Sequence, residues 1–529
     1  MKKSVKSILV ALLCCVLVLG MVACSNNSED ESSETSDVVN STITTGEEEQ
    51  TGITTTTEAT GGSISSTTAK STVYVPPKAK SAYTSPPTYK TQTTGAGTVI
   101  PVINNVKGKT LKLLCVDYSQ FDDDGTANKY LEKHYGIKVK QYRSQQMNDE
   151  IAKSLLSGDP YDLVASDTQI FPELVAQGVM EPIDNCIDFS TPEMKKLKSV
   201  YENHAFRGKH YTIPWVSGST ATIAYNIEMF EDANLDLDGD GKKGDTPYSM
   251  FQKNTWTWEN FLKAAKELAV KNKEGKVTVY GLASRAWTDH QLIYMSGQSI
   301  VKTSGKKLVS NLDSSAFQRI YNDYVSLIND SKVVTRGAEA DSYEVFNAGS
   351  AAMLLAPSFT ISGNYYSKIW KTQNVGMVPV PRYNKTSTYY VPGTAFSFYI
   401  IKGGLEAKSA GKVNRDLLNA FIHGSLASEL EKGNPGSAAY KQSRAEYVAK
   451  WSKESSKFTN EWYDEYQKTL KSLGEKVTVY VDPYNASMDV NGAVLEAMLG
   501  ITKPAPVTFT AAVNEAVGVL NTVLTKVNG

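Results

Sequence analysis

The chain has 529 residues, and its 55 Lys and Arg against 56 Asp and Glu leave a formal net charge of -1, which gives no electrostatic reason to expect nucleic acid as a partner. The five histidines, His134, His204, His210, His290 and His423, show no metal-ligand spacing, and neither a nucleophile elbow nor a phosphate-binding loop is present. Neither enzymatic chemistry nor a catalytic cofactor is therefore expected; a glycoside-active enzyme, needing only two carboxylates facing across a cleft, stands as a third-ranked alternative.

At the amino terminus Lys2, Lys3 and Lys6 precede an apolar run from Ile8 to Ala23, which reads as a secretory signal over residues 1–23. The run is shorter than the roughly 20 residues that span a bilayer. Cys24 directly follows, and the junction resembles the lipobox of bacterial lipoproteins, although Met21 stands where Leu is usual. That resemblance implies a lipidated Cys24 as the first mature residue; the alternative is an ordinary signal peptide followed by an incidental Cys. Ser25 to about Gly97 is Ser, Thr, Glu and Gly with few large apolar residues, so residues 24–104 are expected to be a disordered tether. As a flexible coil it would span roughly 50 Å.

Beyond the tether, Thr110 to Val116 reads as a buried strand, Ala127 to Tyr135 as a helix and Ile137 to Tyr142 as a strand. A helix at about Met147 to Leu156, a strand at Tyr161 to Ala165 and a helix at about Phe171 to Ala176 follow. This alternation predicts an α/β lobe with a largely parallel sheet, and in such sheets ligands meet the carboxyl ends of strands. Tyr118, Ser119, Ser166, Asp167 and Thr168 fall there, as ligand contacts or as ordinary loop and cap residues. Cys115 and Cys186 are the cysteines left after the signal and Cys24; free thiols are expected, with a disulfide as the alternative.

The stretch Gly208 to Asn226 (GKHYTIPWVSGSTATIAYN) is rich in β-branched and aromatic residues, and Pro214 and Gly218 interrupt any helical period. It predicts extended chain crossing from one lobe to another. Ile227 to Leu235 reads as a short helix closed by Asn234. In Asp236 to Asp245 (DLDGDGKKGD), Asp236, Asp238, Asp240 and Gly241 match the first half of a calcium loop, but position twelve is Pro247 where Glu is expected. A structural Ca²⁺ site and a solvated acidic turn both fit. Thr257 caps a helix with Phe261, Ala265 and Leu268 on one face, and Ser314 to Asn329 is a second amphipathic helix. Val375 to Pro381 reads as a second crossover, and helices at about Asn414 to His423, Arg444 to Leu473 and Ala511 to Val527 close the chain.

Six motifs in order resemble the family 1 extracellular solute-binding proteins of ABC importers: YDLVAS with VAQG, GKHYTIP through AYN, MFEDANL, TWTWENFLKAAKEL, FNAGSAAM and VGMVPVP. The resemblance covers nearly all of the chain after about residue 107. It implies a two-lobed periplasmic-binding-protein-like (type II) α/β fold with a hinge, lobe 1 being residues 105–218 and 375–430 and lobe 2 residues 219–374 and 431–529. It further implies a monomeric receptor, lipid-anchored on the outer face of the membrane, that delivers a small solute to an ABC transporter permease. Phe359 looks like a position where sugar-binding relatives place a ring, and Tyr484 lies in a loop similar to one that supplies an aromatic; Trp215 and Trp287 are further candidates. Aromatic faces suit the CH face of a sugar, so a carbohydrate is the expected ligand, with packed core aromatics as the alternative at each position. The runner-up function is a surface glycan-binding or adhesion lipoprotein without a transporter.

Overall fold

The structure, a computed structural model, describes residues 83–528 apart from 117–120, 123–124, 167–172, 204, 220, 285, 306, 337–338, 357–373, 408–411, 454–455, 457, 465–466, 469–475 and 481–507. A hairpin of β1 (Thr91–Thr93) and β2 (Val99–Pro101) comes first. Then follow β3 (Thr110–Cys115), α1 (Thr126–Tyr135), β4 (Lys138–Arg143), α2 (Met147–Leu156), β5 (Leu163–Ser166), α3 (Glu173–Ala176) and α4 (Pro192–Asn203). A small hairpin of β6 (Ala205–Phe206) and β7 (Lys209–His210) leads into β8 (Thr212–Ser219).

The second lobe begins with β9 (Thr222–Asn226), α5 (Ile227–Ala233), α6 (Pro247–Lys253) and α7 (Trp258–Glu267). It continues through β10 (Val270–Lys271), β11 (Val277–Ser284), α8 (Ala286–Gln291) and the hairpin of β12 (Val301–Ser304) with β13 (Lys307–Ser310). After α9 (Ser315–Asn329), β14 (Val334–Arg336), α10 (Glu339–Asn347), β15 (Ala351–Ala356) and β16 (Val375–Pro379), the chain returns as β17 (Tyr390–Ile400). It closes with α11 (Arg415–Lys432), α12 (Ala438–Trp451), β18 (Thr478–Tyr480) and α13 (Phe509–Asn528).

Two six-stranded sheets result, so the molecule is the expected two-lobed α/β fold. The first runs β18-β17-β5-β3-β4 with β8 also on β17, and the second runs β10-β11-β15-β9-β16 with β14 also on β11. Strands β3, β4 and β5 are mutually parallel, and so are β11, β14 and β15. Both faces of the first sheet are covered, as parallel sheets require. Leu114 and Val164 face one core, while Leu111, Leu113, Cys115, Leu163 and Ala165 face the other. Among the described residues β8 pairs only with β17, which leaves it at the edge of the sheet, where a strand tolerates Pro214.

Local signals in the sequence account for several boundaries. Asn234 takes a left-handed conformation (φ 46°) and closes α5. The Thr257 hydroxyl accepts from the Asn260 amide at the start of α7. Cys115 and Cys186 are both buried free thiols, and burial pushes the Cys186 thiol up to about 12. His423, buried within α11, has its Nε2 3.1 Å from the Asp188 carbonyl, and burial lowers it to about 4, which marks a neutral core histidine.

Three expectations are corrected. Residues 83–104 are folded onto lobe 1, so the tether does not extend to 104. Tyr83 donates to the Val413 carbonyl (2.7 Å), Tyr89 to Asp416 (2.7 Å) and Thr94 to Glu431 (2.7 Å), while Ile100 and Ile103 are buried in the lobe 1 core. The reason is long-range: the partners lie more than 320 residues away in and around α11. Second, Val375–Pro379 is not the crossing itself and does not belong to lobe 1, since β16 pairs with β9 inside the second sheet. Third, residues 431–529 are not all lobe 2, because β18 pairs with β17 in the first sheet, whereas α13 bonds β13 of lobe 2 through Asn528 and the Leu308 amide and carbonyl.

Candidate functional site

Register fixes where the two sheets meet. Ser166, the last residue of β5, lies opposite Ser397, which also lies opposite Pro214 on its other side. Strand β8 therefore leaves the first sheet beyond the carboxyl end of β5. Three residues later β9 starts at Thr222, paired with Ala356, the last residue of β15. The carboxyl ends of β3, β4 and β5 in one lobe thus point toward the carboxyl ends of β11, β14 and β15 in the other. This is the edge at which open α/β sheets bind ligands.

The second crossing, residues 380–389, is pinned by the TWTW motif. The Trp256 carbonyl accepts from the Arg382 amide (3.2 Å) and the Tyr389 hydroxyl (2.9 Å), and its indole donates to the Pro379 carbonyl (2.9 Å). Trp258, equally buried, donates to Asp323 (2.9 Å). Both indoles are therefore core groups with satisfied N–H donors.

At the carboxyl edge of the second sheet sits a buried polar network that no motif in the sequence announced. Asp289 of α8 is 0% exposed and accepts from the Tyr324 hydroxyl (2.6 Å) and from Nε of Arg336 (2.7 Å). The Tyr324 hydroxyl also meets the Ser284 hydroxyl (3.0 Å), and Ser342 donates to the Ser284 carbonyl (2.6 Å). Burial pushes the Asp289 carboxyl up, while Arg336 and the Tyr324 hydroxyl pull it back toward the charged form. Its members lie up to 58 residues apart, so only the fold brings them together.

The model of the family described as bacterial extracellular solute-binding protein matches residues 116–403, more than half of the 529. The chain belongs to this family. Among solved structures it is similar to mannotriose-bound CpMnBP1, with 17% identity, 77% of this chain and 99% of that one covered, and a TM-score of 0.48. It is also similar to the GacH receptor of Streptomyces glaucescens GLA.O, solved unliganded and with acarbose, with 16% identity, 79% and 98% covered and a TM-score of 0.46. A search of curated proteins returns no match.

In this solute-binding protein the candidate residues are placed as follows. Ser166 ends β5, Trp215 lies in β8 opposite Phe396, and Trp287 is the second residue of α8, each at or beside the carboxyl edges. Asp167, Thr168, Phe359, Tyr484 and Cys24 lie outside the described residues, as do Tyr118 and Ser119. No helix among the described residues is long and apolar enough to cross a membrane.

The acidic loop after α5 groups its carboxylates differently from the sequence expectation. Asp236, Asp238 and Asp245 bring ligand oxygens within 4.8 Å of one another, and Asp240 is not among them. Asp245, position ten of the loop, is the member the loop comparison missed. The Asp236 oxygens accept from the Gly239 and Gly241 amides (2.8 and 2.9 Å), and one Asp245 oxygen accepts from the Leu237 and Asp238 amides (2.9 and 3.1 Å). Lys253, the last residue of α6, places its ammonium 3.0 Å from Asp245 and 3.5 Å from both Asp238 and Asp240. The hydrogen bond it donates to Asp245 raises the lysine above its ordinary range. Three of the loop's carboxylates thus share the Lys253 ammonium, with which a Ca²⁺ ion gathering 6–8 oxygens would compete.

Replacing Lys253 with Met leaves the buried carboxylates of Asp238 and Asp245 without their cation. Because the lysine side chain is 41% exposed, solvent screening holds the expected loss to about 1–2 kcal/mol. Melting curves of both forms with EDTA and with millimolar Ca²⁺ check the assignment: wild type should not respond, and Lys253→Met should regain part of its loss with Ca²⁺. A wild-type rise with Ca²⁺ would overturn it.

Proposed function

We propose that this solute-binding protein is a receptor that captures a saccharide between the facing carboxyl edges of its two sheets and delivers it to an ABC transporter permease. The observation that carries the reading is the placement of Ser166, Trp215 and Trp287 at or beside those edges, on opposite sides of the β8–β9 crossover. Aromatic residues there suit the CH face of a pyranose, and hydroxyl-bearing residues suit its rim. The receptor works by binding alone: a ligand that prefers one lobe arrangement shifts the population toward it, and no covalent step is needed. In this reading Cys24 carries the lipid that holds the protein on the outer face of the membrane, and the Ser- and Thr-rich segment before residue 83 is the spacer.

A thermal-shift screen of the chain from residue 25 tests it, with mannotriose, acarbose, maltotriose, monosaccharides, amino acids and short peptides. A ligand at a hundred times its Kd stabilises the folded form by about 2.7 kcal/mol, a saturable rise in Tm. A rise with a saccharide is the expected result. A rise with an amino acid or peptide alone would replace the carbohydrate assignment, and no rise across the panel would remove the receptor reading.

A further inference from the structure

We infer that the buried Asp289–Tyr324–Arg336 network is a positioning device for lobe 2's share of the ligand site, a role that rests on the receptor reading above. Placement is the first argument. Ser284 and Arg336 are the terminal residues of the parallel strands β11 and β14, and α8, which carries both Trp287 and Asp289, begins two residues after Ser284. The network thus ties together two strand ends at the ligand-facing edge and the short helix that leaves one of them.

The helix needs such a tie. At 6 residues α8 is far below the length at which a helix holds itself, so tertiary contacts set its orientation. Asp289 supplies contacts in two directions, one oxygen bonded to Tyr324 of α9 and the other to Arg336 of β14. Two bonds from different elements to one carboxylate fix both the rotation and the height of α8, which a single apolar contact would not do.

Energetics is the second argument. A largely buried ion pair, here with Asp289 0% and Arg336 12% exposed, seldom stabilises a fold more than well-packed apolar side chains of the same volume, because removing charge from water offsets the attraction. Around this pair the core of lobe 2 is apolar, with Leu282, Tyr294, Leu327 and Phe346 buried in it. What the charged network adds is directional geometry. Geometry fixed before binding lowers the ordering cost the ligand would otherwise bear.

Tyr324→Phe is the test variant, because it keeps the ring in the core and removes only the hydroxyl that bonds Asp289 and Ser284. Leu327→Ala on the same helix is the control: it loosens the core without touching the network. Each full chain is titrated calorimetrically with mannotriose, acarbose and maltotriose at a temperature where it is fully folded. Tyr324→Phe should weaken binding roughly tenfold, the scale of a lost hydrogen bond to a charged group, and Asp289→Asn further still, while Leu327→Ala keeps the wild-type Kd. A purely structural network would lower Tm and leave the Kd of the folded protein unchanged. Wild-type affinity in Tyr324→Phe, or equal weakening in Leu327→Ala, overturns the inference alone. A wild type that binds none of the three saccharides removes the carbohydrate reading and this inference with it.

Discussion

A chain that begins at residue 107 should melt well below one that begins at residue 80, although the sequence removed looks like the end of a tether. Residues 83–106 form a strap across α11 and its surroundings. Ile100, Ile103 and Val106 are almost fully buried, and each such side chain contributes about 1.5–3 kcal/mol on burial, against the entropy of ordering the segment. Polar contacts fix the register. The Arg415 guanidinium lies 4.2 Å above the Tyr83 ring and donates to the Ser85 carbonyl (3.0 Å), and Asn434 donates to the Ala96 carbonyl (2.8 Å). Asp416 accepts from Tyr89 and from Asn105, so one carboxylate ties together two points of the strap sixteen residues apart.

Removing the strap also uncovers its partner. Helix α11 is buried on nearly every face, from Leu417 through Leu430, which only a helix covered on its outer side can be. Losing about 3 kcal/mol or more corresponds to a fall of roughly 6–12 °C if a lobe of about 150–250 residues melts by itself, and of about 3 °C if the whole folded chain melts as one unit. Calorimetry or circular dichroism of the two fragments measures it, and the single changes Ile100→Ala and Ile103→Ala should each cost about 2–5 kcal/mol in the longer one. Equal melting of the two fragments would mean that the strap contributes nothing.

What the sequence disclosed follows a pattern. Short-range chemistry was legible: the Asn234 cap, the Thr257 cap, the alternation of strands and helices after residue 110, and the extended stretch that became β8 and β9. These depend on residues within a turn or two of each other. The strap was not legible, because the short apolar run Val99 to Ile103 and Val106 sit at the end of a long Ser- and Thr-rich segment, and the partners that hold the strap lie over 300 positions away. One clue was present: Leu417 to Leu430 carries apolar or small residues all round, which demands cover on every side.

The candidate site divides the same way. Ser166 could be named from the alternation as a position at the end of a strand, and β5 does end there, whereas Trp287 reads from the sequence only as a further aromatic candidate. Asp289, Arg336, Tyr324 and Ser284 could not be joined, since a buried carboxylate reads like any helix-surface acid until the fold supplies its partners. The acidic loop shows the intermediate case. Its alternate carboxylates were visible, but the decisive residue, Lys253, lies eight positions past Asp245 in the next helix, where a loop pattern does not look.

Gly281→Ala should be the most damaging single methyl in lobe 2. Gly281 lies in β11 beneath α7, and a Cβ built there would stand 1.7 Å from the Ala265 carbonyl oxygen and 2.8 Å from the Ala265 Cα. Both are backbone atoms of the helix, so no side-chain rotation relieves the clash; α7 must move away from the sheet. That helix carries Trp258 and Phe261, stacked with ring centroids 5.3 Å apart, and its capping residue Thr257 bridges to Arg382 on the crossing segment. The displacement would therefore reach the second crossover as well as the core. Overpacking usually costs 1–3 kcal/mol, and against an immovable backbone about 3 kcal/mol or more is expected. Gly518→Ala gives the opposite sign: it lies inside α13 with nothing within 4 Å of the added methyl, and a helix-interior Gly to Ala change gains about 0.5–1 kcal/mol. Denaturant midpoints of the two variants, measured beside wild type, should lie on opposite sides of it. A neutral Gly281→Ala would mean that α7 and β11 do not pack as closely as this contact requires, and the pinned crossover built on that packing would go with it.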